Sequence, residues 1–237
     1  MSIKAALFDL DGTLLPMNQR VFFEEYFKLL TAKLAPYGYE DPKALVKTMW
    51  QGVDRVCVND GKRKNSEVFW EYFVSVYGEN VKNHIPIIDR FYLEEFDAVK
   101  TVCGYNPEAN KTVKVLKEKG LKCVIATKPI FPPQAILKRM EWAGLDGNDF
   151  ELVTSYDVCN FCKPQKEYFE EIASKLGVSP EECLMVGNDV DDDMPAEESK
   201  MKVFLLTDCL INSQNKDISN YRQGSFVDLI EYVNELI

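Results

Sequence analysis

Residues 5–14 read Ala-Ala-Leu-Phe-Asp-Leu-Asp-Gly-Thr-Leu. An apolar run with no polar break predicts a short strand buried on both faces, as in a parallel sheet covered by helices on each side. The run stops at two acids two positions apart. Asp9 and Asp11 therefore leave the sheet at its carboxyl edge, where open α/β sheets bind ligands. Gly12 permits a positive φ or a close approach of backbone to a bound group. These acids are the candidate reactive pair, and the plainer reading of the same stretch is a polar Asp-Gly turn. A calcium loop fails, because counting from Asp9 puts Thr13 at position five, Leu14 at six and Arg20 at twelve, where that loop needs an acid, Gly and Glu.

A second stretch repeats the pattern. Residues 183–194 run Cys-Leu-Met-Val-Gly-Asn-Asp-Val-Asp-Asp-Asp-Met, an apolar strand, a glycine and then acids. Close carboxylates repel by on the order of a few kcal/mol per pair at an effective dielectric near 20, so a positive group should offset them. If this strand neighbours the first, Asp9, Asp11 and Asp189 face one crevice, and a hard divalent cation with oxygen ligands suits them. A solvated acidic helix start is the competing reading. It is preferred for Asp191 and Asp192; Asp189 and Asp193 are taken as site residues. This segment also fails as a calcium loop, with Met194 in place of Gly and Lys200 in place of Glu.

Two smaller signals lie between. Residues 121–127 are an apolar strand ending in Thr127, followed by Lys128, which is open between a phosphate contact and plain surface. Lys163 precedes Pro164, which fits the first position of a helix, a poor place for a cation unless an anion is near. Each alone is more simply structural. With the acids, a hydroxyl and an ammonium describe a phosphate site.

Asp9-x-Asp11-Gly12-Thr13, Thr127, Lys163 and Gly187-Asn188-Asp189-x-x-x-Asp193 resemble the four ordered motifs of the haloacid dehalogenase-like hydrolase superfamily. The chain departs from the family pattern with Gly-Asn-Asp where Gly-Asp is frequent. The resemblance implies a Rossmann-like parallel-sheet core with a small all-helical cap inserted after the first motif. It also implies Asp9 as nucleophile forming an aspartyl-phosphate, Asp11 as the acid and base, and Thr127 and Lys163 on the phosphoryl group. Mg²⁺ would be held by Asp9, the main-chain carbonyl of Asp11 and Asp189, with Asp193 a further candidate ligand. An acid at position 11 separates the chain from the dehalogenase branch. The expected activity is a Mg²⁺-dependent phosphatase of a small phosphorylated metabolite. A phosphomutase is the alternative, and a non-enzymatic phosphoacceptor module is a third reading, disfavoured by the length of the chain and the helical insert.

The rest of the sequence agrees with that division. From residue 18 to about 100 the signals are helical, with Phe22, Tyr26, Phe27 and Leu30 on one face, Asp41-Pro42 opening a second helix and Gly78 closing a third. Residues 17–100 are expected to form the cap, and 1–16 with 101–237 the core. From residue 106 strands and helices alternate, which implies a doubly wound parallel sheet with right-handed crossovers. A helix is expected from Pro164 to about Leu176 and irregular chain over 212–224.

A formal charge of −10 argues against nucleic acid or an anionic membrane as partner. The odd number of cysteines, seven, suits a reducing compartment. Cys159-x-x-Cys162 has no second pair beside it, and His84 is the only histidine, so zinc, redox and Ser-His-Asp readings are weak. With no leader-like segment and no apolar run near the ~20 residues a span needs, a cytoplasmic protein is expected.

Overall fold

A computed structural model describes residues 2–237. The first strand, β1 (Ala5–Phe8), lies at the middle of a six-stranded parallel sheet with β2 (Lys122–Ile125), β3 (Leu152–Val153), β4 (Cys183–Gly187), β5 (Lys202–Leu206) and β6 (Gln223–Gly224), in the order β3-β2-β1-β4-β5-β6. Leu7 pairs with Val124 on one side and Met185 on the other. The chain builds outward from β1 through β2 and β3, then returns to the other side of β1 for β4. That reversal opens a crevice at the carboxyl ends of β1 and β4.

Every residue of β1 is buried, and alternate side chains enter different layers. Ala6 and Phe8 pack with α5 (Pro107–Glu118), α6 (Pro133–Trp142) and α8 (Phe226–Leu236), whereas Ala5 and Leu7 pack against Tyr168, Phe169 and Ile172 of α7 (Lys166–Leu176). The doubly wound core expected from the alternation of strands and helices is present. Two local expectations are corrected. α7 begins at Lys166 rather than Pro164, so Lys163 sits in the preceding loop and not at a helix start. The stretch read as irregular ends in β6, which pairs with β5 through Leu205 and Leu206.

Between β1 and α5 the chain is helical, with α1 (Gln19–Leu34), α2 (Pro42–Cys57), α3 (Asn65–Tyr77) and α4 (Ile85–Glu94). Asn18 and Asp41 accept main-chain N–H groups in the first turns of α1 and α2, as good capping residues do. The segment leaves and rejoins the sheet at one place, where Met17 and Cys103 form an antiparallel bridge and Gly104 N–H donates to Pro16 C=O at 2.7 Å.

A loop over residues 155–165 ties the segment down. Asn65 N–H donates to Cys159 C=O at 3.0 Å, Ser66 N–H to Tyr156 C=O at 2.9 Å and Lys64 Nζ to Val158 C=O at 2.9 Å. Cys162 Sγ faces Cys57 Sγ of α2 at 3.8 Å, and all seven cysteines are free. His84 packs by its ring nitrogens, Nδ1 lying 2.9 Å from the Tyr39 hydroxyl. No helix among the described residues is long and apolar enough to cross a membrane.

Candidate active site

The sheet fixes the first acid through its backbone. Asp9 N–H donates to Val186 C=O at 2.9 Å, one step beyond β1, so its side chain stands at the mouth of the crevice. The chain then folds back, with Gly12 N–H on Leu15 C=O at 2.8 Å and Leu15 N–H on Leu10 C=O at 2.9 Å. Gly12 has φ +93, and a Cβ there would collide with the Asn188 side-chain amide, so only glycine fits on both counts. Buried Asn188 accepts the Thr13 hydroxyl at 2.8 Å and donates to Cys209 C=O at 2.7 Å. It fastens the loop after β1 to the loop after β4, a role that gives the residue between Gly187 and Asp189 its purpose.

Lys163 reaches the same point from the loop before α7. Its buried Nζ lies 2.9 Å from Asp9 Oδ1 and 2.6 Å from Asp193 Oδ1. Burial disfavours its charge, yet Asp193 and Asp9 more than offset this and leave its pKa above the ordinary lysine value. Asp193 gives its other oxygen to Asp189 N–H at 3.0 Å, so both of its oxygens are held by protein donors. Burial raises its pKa, and Lys163 pulls against that rise. A Cβ on Gly187 would occupy the place of the Asp193 carboxylate.

Asp11 differs in surroundings from Asp9. Burial pushes its pKa up to about 6, Arg139 pulls it down and Asp9 pushes it up. Arg139 Nε, on α6, lies 3.2 Å from Asp11 Oδ1. The arginine is fully buried, its guanidinium 4.2 Å from the ring centre of Phe131 and 5.6 Å from that of Phe22. Its three nitrogens have no hydrogen bond of good geometry among the described residues, so charge and ring stacking hold it. Arg139 was absent from the sequence reading. The available signal was its register, since Arg139 falls on the face of α6 with buried Ala135, Ile136 and Met140.

Asp189 Oδ1 accepts the N–H groups of Asp191 at 2.8 Å and Asp192 at 3.1 Å. Burial and then Asp192 raise its pKa, with a smaller push from Asp9. The solvated helix-start reading fits neither Asp191 nor Asp192: both lie half-buried in a turn, Asp191 paired with Lys216 at 2.6 Å and Asp192 with Lys128 at 2.8 Å, and Asp192 with that lysine borders the crevice. Thr127 is buried there too, its carbonyl fixed by Thr154 Oγ1 and Tyr168 OH, each at 2.8 Å. Asp9, Asp11, Thr127, Lys163, Asp189 and Asp193 all line one cavity of 140 Å³.

The donor set decides whether a cation fits. The carboxylates of Asp9 and Asp189 and the carbonyl of Asp11 are hard oxygen donors, and that carbonyl has only a long 3.4 Å contact from Gln19 Nε2. No group of three or more His, Cys, Asp or Glu side chains among the described residues forms a metal cage. A few protein oxygens completed by water and substrate oxygens is how Mg²⁺ is usually held, so the residues suit that ion.

Residues 3–198 match the sequence profile of the haloacid dehalogenase-like hydrolases. The pyrophosphatase PpaX of Halalkalibacterium halodurans is 26% identical over 206 residues, covering 87% of this chain and 84% of its own. The D-glycero-beta-D-manno-heptose-1,7-bisphosphate 7-phosphatase of Haemophilus ducreyi is 25% identical over 62% of this chain and 92% of its own. Among solved structures, an HAD phosphatase from Thermococcus onnurineus superposes with a TM-score of 0.58 at 21% identity over 98% of both chains. A protein described as a predicted phosphoglycolate phosphatase from Haemophilus somnus gives 0.58 at 17% identity over the same shares. At such identities the structural likeness speaks for the fold.

Proposed function

The chain belongs to the haloacid dehalogenase-like hydrolases, and from that premise we propose that it is a Mg²⁺-dependent phosphatase of small phosphomonoesters working through an aspartyl-phosphate on Asp9. The observation that carries this reading is the division of labour between two acids at one strand end. Asp9 is ion-paired with Lys163, as a nucleophile should be, while burial pushes Asp11 up to about 6, where it can carry a proton.

An Asp9 oxygen attacks phosphorus in line, and the P–O bond to the leaving group breaks. Asp11 gives its proton to that leaving oxygen. It then takes a proton from the water that attacks phosphorus, releasing phosphate and restoring the Asp9 carboxylate. Lys163 and Thr127 hold the phosphoryl oxygens, and Asp193 positions Lys163. Held by Asp9, the Asp11 carbonyl and Asp189, Mg²⁺ supplies the positive charge that lets a carboxylate approach an anionic ester. Residues 17–100 form a cap over this site and 1–16 with 101–237 the catalytic core. The seven free cysteines support a cytoplasmic setting.

The test is turnover of a generic aryl phosphate by the wild type and Asp9→Asn, with Mg²⁺ or with chelator. Loss of about 10³-fold or more in the variant, and loss on chelation, are expected. Undiminished turnover in Asp9→Asn overturns the proposal.

A further inference from the structure

The cavity above Asp9 is polar on its floor and aromatic on its other side, where α1 and α2 contribute Gln19, Phe22, Phe23, Trp50 and Val53. Among the described residues no Lys, Arg or His of the helical segment lines it. Of its cations, Lys28 pairs with Glu25, Arg63 with Glu71, and Arg55 lies over the ring of Tyr72, while Lys43 and Lys47 of α2 are exposed outside the cavity lining. Lys128, at the rim, is neutralised by Asp192 at 2.8 Å.

Phe23, Trp50, Val53, Ile130 and Phe131 are also one wall of a second cavity of 50 Å³ that runs on among Tyr26, Phe27 and Phe73. The hydroxyls of Tyr26 and Tyr92, on its lining, lie 2.6 Å apart and satisfy each other. The two spaces abut at these residues, so the aromatic side of the acid-floored cavity is backed by further apolar packing. Trp50 stands at its side, 37% exposed, with its ring 4.8 Å from Phe23 and 5.6 Å from Phe27.

Resting on the phosphatase reading, we infer that the substrate's leaving group is an uncharged aromatic or similarly bulky apolar alcohol seated against Phe23, Trp50 and Phe131. A second phosphate or a carboxylate on that side would be desolvated against rings with no free cation to pair with. A ring gains offset and edge contacts there. The geometry thus separates this chain from relatives named for pyrophosphate, whose leaving group is itself an anion.

Binding and turnover test this separately, with the full chain and Mg²⁺. By calorimetry, benzylphosphonate should bind at least about tenfold tighter than methylphosphonate, with phosphonoacetate no tighter than the latter. The kcat/KM for benzyl phosphate should exceed those for ethyl phosphate, 2-phosphoglycolate and pyrophosphate by at least about tenfold. Trp50→Ala should cut the benzyl-to-methyl binding ratio by about fivefold or more, and Val53→Lys should turn the preference toward phosphonoacetate. Preference for phosphonoacetate, 2-phosphoglycolate or pyrophosphate in the wild type overturns the inference and leaves the phosphatase reading standing. Tight benzylphosphonate binding with no turnover of any ester overturns that reading and leaves the pocket assignment. Absence of both overturns both.

Discussion

At the scale of single residues, Arg139 is the group on which the behaviour of Asp11 turns. Burial raises the Asp11 pKa to about 6 and Arg139 is the largest influence holding it down. Arg139→Met removes that positive charge at similar length, so the Asp11 pKa should rise further. A general acid must be protonated to act, so kcat/KM should fall as pH climbs through its pKa, and in the variant that fall should begin at higher pH. Arg139→Lys, which keeps the charge but loses the stack on Phe131, should leave the fall nearer its wild-type position. A pH–rate profile identical in wild type and Arg139→Met contradicts the assignment. Asp9, Asp11, Thr127 and Asp189 were each legible at the ends of apolar strands, whereas Lys163 was singled out as a charge at a helix start and stands instead in the loop before α7. Arg139 was not, because an arginine in a helix of mixed composition reads as surface until the packing of that helix is known. Asn188 was hidden for a similar reason, since both of its partners are distant in the chain.

At the scale of elements, the loop over residues 155–165 couples the helical segment to Lys163, and Asn65 is its clasp. This residue is fully buried, donates to Phe161 C=O at 2.9 Å and accepts Asn59 Nδ2–H at 2.9 Å. Asn65→Ala leaves the part-buried Phe161 carbonyl without its donor, at a cost of about 1–3 kcal/mol. Urea unfolding should show that loss as a lower midpoint, and an unchanged midpoint contradicts the role. Apolar spacing made α1 readable, because it buries one face, and Gly78 marked the end of α3. α2, opened by Asp41-Pro42, runs through Gly52 to Cys57, and at Gly52 a Cβ would meet the Phe69 ring at 2.8 Å. The start of α7 was misplaced because Pro164 fits a first helical turn by residue type, while the Lys163 ion pairs place that stretch in a loop. β6 carries no alternation, being two residues long.

At the scale of the whole molecule, the position of β1 between β2 and β4 makes distant acids neighbours. Alternating strands and helices made a parallel doubly wound sheet legible, but strand order is a tertiary fact that no local pattern encodes. A consequence is that a cation gathered by β1 and β4 should stabilise the entire core. With Mg²⁺ at a hundred times its Kd, linkage predicts about 2.7 kcal/mol of added stability. In a melting experiment that corresponds to about 5–10 °C for a chain of this size. Asp189→Asn should lose most of the shift, and an equal shift in that variant contradicts the ligand assignment. The central claim is that residue 9 carries the phosphoryl group. Its most direct test is to quench the enzyme during turnover of an aryl phosphate, reduce with borohydride and map the peptides by mass spectrometry. The account predicts homoserine at position 9, the reduction product of an acyl phosphate there; aspartate left intact at position 9 in every quenched sample, while phosphate is being released, would contradict it.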